Sequence, residues 1–184
     1  SDQNNTHSEK TTTKPTTSYG INKLSFENYL SLGCEEGFIS STILRISNPY
    51  GVLLPRNRRQ GLIGVALNNI ICGRKVSIFG NHENIRDYIH LNDVVSSFNK
   101  SLIPQNHFNI FNIASGESFS VKQIIELLRK ITKVDFEIEY IDIDDSNNLV
   151  ESVTLDISKA KKILSWLPQY NLEQGLVEMW NRYK

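Results

Sequence analysis

Apolar residues recur along the chain in short runs and helical stripes, separated by turn residues, and this pattern predicts strands alternating with helices. Over 18–32, Tyr19, Lys23, Phe26 and Leu30 fall at helical spacing, Leu24 and Tyr29 lie on an adjoining face, and Gly33 stands where the helix is expected to stop. Residues 41–46 (STILRI) form a β-branched run suited to a buried strand, and Asn48-Pro49-Tyr50-Gly51 reads as the turn that ends it. A basic loop over 55–60 leads to a helix over 62–72, and 75–79 reads as a strand closed by Gly80-Asn81. A helix over 91–102, capped by Asn92, precedes a strand over 108–113 that ends at Ser115-Gly116. The stripe of Val121, Ile124, Ile125, Leu127 and Leu128 predicts an amphipathic helix over 120–131. Residues 136–141 alternate as an exposed edge strand. Helices over 158–164 and 172–183, capped by Asp156 and Asn171, close the chain. Such alternation, without internal repeats, argues an α/β protein.

Residues 1–17 carry no large apolar side chain, so they are expected to be polar loop or disordered. The remainder of the 184 residues is long enough to bury a core. Twenty basic residues balance twenty acidic ones, which leaves no net field to draw the chain to nucleic acid or an anionic membrane. Cys34 and Cys72 lie far apart and read as small buried hydrophobes of a reducing compartment. The four histidines (His7, His82, His90 and His107) show no metal-ligand spacing, so no metal is expected. The apolar stretch 62–72 is broken by Asn68 and Asn69 and is too short to span a bilayer, so a cytoplasmic protein is expected.

Candidate chemistry begins with Tyr19 and Lys23, four apart on a predicted helix and therefore able to meet on one face. An ammonium beside a phenol stabilises its phenolate, a route to acid–base catalysis. Taken alone the spacing is common, and a packed ring beside a solvated lysine is the plainer reading. The surroundings shift that balance. Ser18-Tyr19-Gly20-Ile21-Asn22-Lys23-Leu24 is followed by Leu44-Arg45-Ile46-Ser47, Asn48-Pro49-Tyr50-Gly51 and Val76-Ser77-Ile78-Phe79-Gly80-Asn81. Then come Arg86-Asp87-Tyr88-Ile89-His90, Phe111-Asn112-Ile113-Ala114-Ser115-Gly116, Asp156-Ile157-Ser158-Lys159-Ala160 and Leu164-Ser165-Trp166-Leu167-Pro168. In this order the blocks resemble the extended short-chain dehydrogenase/reductase family, most closely its NAD-dependent UDP-galactose 4-epimerase-like members, over nearly all of the chain after Thr17.

The resemblance implies a Rossmann-type doubly wound fold joined to a small α/β substrate-binding domain, of which this chain would be the C-terminal portion. It implies Tyr19 as acid–base catalyst at a sugar hydroxyl and Lys23 as its partner, with Tyr19, Lys23, Ile46 and Ser47 against NAD. It further implies Asn48, Leu62, Phe79, Gly80 and Arg86 as residues that bind a nucleotide sugar, a UDP-hexose by family default. Arg86 suits a pyrophosphate because a guanidinium holds two oxygens at once, and the alternative is a pairing with Asp87 or with a helix terminus. One of Arg56, Arg58 and Arg59 could supplement it. A homodimer is also implied, through the helix that carries the tyrosine.

Two departures qualify the match. No G-x-G-x-x-G occurs, and the family's upstream Ser or Thr partner of the tyrosine is not matched by Ser8 or Ser18, so the dinucleotide-binding half is absent and the isolated chain is expected to be inactive. The family's arginine ahead of the Asp-x-Ser-Lys-Ala helix is replaced by the acidic stretch 142–148. The organisation expected is polar loop at 1–17, a remnant of the NAD-binding domain at 18–54, and a nucleotide-sugar-binding domain at 55–184, with 105–116 returning to the main sheet. The alternatives to an epimerase are a nucleotide-sugar 4,6-dehydratase or decarboxylase, or a binding module without catalysis.

Overall fold

A computed structural model describes residues 6–56, 58, 60–81, 83–102, 108–141 and 152–184. The elements run β1 (Thr6–His7), α1 (Ser18–Glu35), β2 (Thr42–Ile46), β3 (Asn48–Tyr50), α2 (Leu62–Ile71), β4 (Val76–Phe79), β5 (Ile85–His90), α3 (Leu91–Ser101), β6 (Asn109–Ile113), β7 (Ser118–Ser120), α4 (Val121–Thr132), β8 (Ile138–Ile141), β9 (Ser152–Leu155), α5 (Ser158–Leu164) and α6 (Leu172–Tyr183). The expected α/β alternation is therefore present. Parallel pairing dominates: β2 with β6, β4 with β8, and the path β1-β9-β5-β3, with β7 antiparallel on β5.

The helices are set by local chemistry and by what they bury. Helix α4 starts in a capping box between Ser120 and Gln123, and α6 in one between Asn171 and Gln174, each satisfying two backbone N–H groups that have no helical partner. Ile124, Ile125 and Leu128 of α4, Leu176 and Met179 of α6, Ile63, Leu67 and Ile70 of α2, and Val76 and Ile78 of β4 form one core. A second core gathers Ile89, Val94, Phe111, Ile113, Ala160, Leu164 and Trp166, with Leu44 and Ile46 packed on it. Each such aliphatic side chain, fully withdrawn from water, contributes about 1.5–3 kcal/mol before entropy is counted.

Several expectations are corrected. Gly33 does not end α1, which continues to Glu35; the stop is Gly37 at φ +77, beyond which the Phe38 N–H donates to Gly33 O at 2.9 Å. A left-handed residue at that step suits glycine, and at Gly33 a Cβ would press on the Ile39 side chain at 3.2 Å. The stretch Asn48-Pro49-Tyr50 is a strand and not a turn, in register with Tyr88, Ile89 and His90. Pro49 is tolerated in β3, which lies at the end of its sheet path and has a partner strand on one side only. The cap of α3 is His90 and not Asn92: its side chain accepts from the Asn92 N–H. Residues 6–7, expected within a polar loop, form β1 on β9, and Asn112 fastens the segment through its N–H to Glu9 Oε1 at 2.8 Å and its side chain to His7 O at 2.9 Å. Backbone pairing of this kind requires no apolar side chain, so composition does not reveal it.

Cys34 is half-buried and Cys72 exposed, so neither is the fully buried hydrophobe expected. No helix among the described residues is long and apolar enough to cross a membrane.

Candidate functional site

A cavity of about 650 Å³ opens between the end of β3, the start of α2, and strands β4 and β5. Four of the anticipated sugar-nucleotide residues line it together: Asn48, Leu62, Phe79 and Arg86. Gly80, the fifth, is not among its lining; it sits at φ +73 with its N–H donated to Ile141 O at 3.1 Å. Arg58 joins Arg86 in the lining, and among the described residues no carboxylate does. Arg59 and the acidic stretch 142–148 fall outside the described residues, as do His82 and His107.

The amino terminus of α2 also faces this space. Gly61, in the left-handed region, precedes it and offers no side-chain cap, and Gly61, Leu62, Ile63 and Gly64 all line the cavity. Uncapped N–H groups and the positive end of the helix dipole favour an anion here. The first turn is held close by the loop before it: a Cβ on Gly64 would meet Val52 O at 2.5 Å, and Asn68 Nδ2 donates to Leu54 O at 2.9 Å. Side chains outside the sequence motifs complete the wall, among them Gln60 and Asn84. Only folding brings them there.

Tyr19 and Lys23 lie on one face of α1, as their spacing requires, with Lys23 Nζ 5.4 Å from the centroid of the Tyr19 ring. They do not line the cavity, and Tyr19 is 71% exposed. The helix has no buried residue. It is tied to β2 by a two-pronged contact in which Arg45 Nε and Nη2 donate to Glu27 at 2.9 and 2.5 Å, and that carboxylate holds the guanidinium pKa above its usual value. Ile46 is half-buried against the second core.

Ser47 leads to a residue whose role the sequence did not disclose. Its hydroxyl donates to Asp87 Oδ1 at 2.9 Å, and Asn48 Nδ2 donates to the Asp87 carbonyl at 2.8 Å. Asp87 is fully buried and also accepts the backbone N–H of Ser115 and of Gly116, each at 2.9 Å. Burial raises its carboxyl pKa, while these donors pull the other way. Along β5 the side chains alternate, so Arg86 and Tyr88 meet the cavity while Asp87 turns to the opposite face.

His90 is buried between Tyr50 and Tyr170, stacked on the latter at 4.1 Å. Its Nε2 lies 3.4 Å from Glu178 Oε2. Among the described residues no group of His, Cys, Asp or Glu is arranged to hold a metal ion.

Comparison with known proteins identifies the family. A dTDP-4-dehydro-6-deoxyglucose reductase of Escherichia coli is 37% identical over 166 residues, covering 88% of this chain and 51% of its own. The structure of a UDP-glucose 4-epimerase from Thermotoga maritima with UDP-glucose superposes at a TM-score of 0.78 with 34% identity, over 89% of this chain and 53% of that one. A dTDP-glucose 4,6-dehydratase from Bacillus anthracis in complex with NAD gives 0.79 with 26% identity, over 98% and 56%. The chain thus spans about half the length of the relatives it matches. The family model for GDP-mannose 4,6-dehydratase matches residues 1–179, and on that match the chain belongs to the GDP-mannose 4,6-dehydratase family of nucleotide-sugar epimerases and dehydratases.

Proposed function

We propose that this chain supplies the nucleotide-sugar cavity and the acid–base tyrosine of an NAD-dependent nucleotide-sugar 4-epimerase acting on a UDP-hexose. The observation that carries the reading is the cavity itself: Arg58, Arg86 and an uncapped helix terminus surround one space whose described lining contains no carboxylate. That is the donor set for a diphosphate. Phe79 offers a ring to a base, and Asn48 an amide to the ligand. The likeness to the Thermotoga maritima enzyme, whose structure contains UDP-glucose, supports the choice of ligand.

Catalysis is assigned to α1. Tyr19 would take a proton from a sugar hydroxyl and return it, with Lys23 beside its ring on the same helix face. A phenol and an ammonium on one exposed helix face fit a nicotinamide ribose, and Ile46 and Ser47 would stand beside the ring. NAD, when bound, supplies reversible hydride exchange with a sugar carbon. The glycine-rich turn that grips a dinucleotide pyrophosphate does not occur in these 184 residues, so the isolated chain is expected to bind the nucleotide sugar without turning it over. A homodimer through α1 completes the reading, since Phe26 and Tyr29 stand exposed on that helix; scattering of the full-length protein should return twice the protomer mass.

A second reading has its own support. The 37% identity to a dTDP-4-dehydro-6-deoxyglucose reductase favours reduction of a 4-keto sugar nucleotide, in which one reduced nicotinamide is consumed per sugar. An epimerase consumes none. Following nicotinamide absorbance with each substrate separates the two.

The test of the cavity is calorimetry of UDP with the full-length protein and its Arg86→Gln variant. Loss of a charge-assisted contact predicts a Kd about tenfold or more higher. An unchanged Kd would remove the diphosphate from this cavity.

A further inference from the structure

Asp87 meets two layers of the molecule at once. Its carboxylate joins the exit of β2, through Ser47, to the turn after β6, through Ser115 and Gly116. Its carbonyl fixes the side chain of Asn48, which lines the cavity. The contacts have a definite polarity. Because the Ser47 hydroxyl gives its only hydrogen to Asp87, Ser47 Oγ is left to act as an acceptor. Because an Asp87 carbonyl can only accept, the Asn48 amide must point its nitrogen inward, which leaves Oδ1 as an acceptor.

A carboxylate with no exposed surface is costly to keep unless donors surround it, and donors do so here from two separate segments. A core serving packing alone would be met by an apolar side chain at this place. We propose that Asp87 is a positioning residue whose carboxylate sets the acceptor orientation of Ser47, next to the Asn48 that its backbone carbonyl holds, and so fixes the cofactor side of the site relative to the nucleotide-sugar cavity. The proposal rests on the nucleotide-sugar reading above, which places Ser47 beside the nicotinamide and Asn48 against the sugar nucleotide.

The test uses the full-length protein with Asp87→Asn. An amide keeps the volume but accepts on one side only. Its N–H₂ must meet either the Ser47 and Ser115 donors at the Oδ1 place or the Gly116 N–H at the Oδ2 place, and the link that holds Ser47 to the turn after β6 is disturbed. The expected result is a split. NAD affinity, read by calorimetry, weakens about tenfold, and kcat with UDP-glucose falls about ten- to a hundredfold. UDP affinity stays within about threefold, because Arg86 and the start of α2 stand on the other face of β5. Parallel weakening of NAD and UDP would mark a merely structural residue and overturn the proposal, as would unchanged NAD affinity. If Asp87→Asn does not fold, Ser115→Ala decides: it loosens Asp87 from the far side, where Ser115 Oγ lies 3.0 Å from Oδ1, and should weaken NAD about threefold with UDP unaffected. No change in NAD binding there also overturns it. Arg86→Gln serves as the control for the underlying reading. If that variant binds UDP normally, the cavity assignment fails; if it weakens UDP while Asp87→Asn leaves NAD binding intact, only the positioning role fails.

Discussion

The cavity region and helix α1, to which catalysis is assigned by proposal, are built on opposite terms. Around the cavity, α2, α4, α6 and β4 share one core, and seven residues of α2 are buried. Helix α1, nearly twice as long, has none. It persists as a helix through its Thr17 cap, the Gly37 stop and the Arg45–Glu27 contact, while Phe26 is 65% exposed and Tyr29 more so. The contrast shows that the element expected to carry the chemistry contributes little to stability here, and that the element lining the cavity is itself part of the core. Catalytic and structural substitutions should therefore separate cleanly.

The largest effect should come from the smallest atomic change. Tyr19→Phe in the full-length protein removes one exposed oxygen and is expected to lower turnover by about two to four orders of magnitude with no shift in Tm. If turnover survives, the acid–base assignment to α1 is wrong. Stability should respond the other way round: Leu67→Ala, in the fully buried wall of α2, is expected to cost about 2–5 kcal/mol in denaturant unfolding. Phe26→Ala on α1 should stay within about 0.5 kcal/mol in the isolated chain, and a larger loss would mean that α1 is covered in solution.

The mildest test concerns the junction between cavity and C-terminal helix. Burial lowers the His90 pKa below its ordinary value of about 6.5, against the pull of Glu178 and Asp93. A folded state that binds fewer protons than the unfolded chain loses stability as pH falls from about 6.5 toward the lowered folded pKa. Urea midpoints should decline across that window in the wild type and decline less in His90→Gln. Equal slopes would assign the acid sensitivity to another group.

Legibility from sequence followed range of interaction. The capping box at Asn171 depends on residues three apart, and the α4 stripe on a single helix, so both could be read directly. The pairing of β3 with β5 joins residues about forty apart, and a segment that looks like a turn by Pro and Gly content becomes a strand because β5 is there to receive it. At the site, Asn48, Leu62, Phe79 and Arg86 were anticipated by resemblance and do share one cavity, whereas Gly80 lies off it. Gln60 and Asn84 had no motif to mark them. Asp87 was visible only as a neighbour of Arg86, and strand alternation sends its side chain to the opposite face.

What the sequence determined by itself was the α/β order, the cap at Asn171, and the meeting of Tyr19 with Lys23, because each depends on spacing within one element. What only the tertiary structure decided was the cavity shared by Arg58, Arg86 and the start of α2, and the hub at Asp87. Both are assembled from backbone ends and side chains of several separate elements, and their distances are set by packing, which no local pattern encodes.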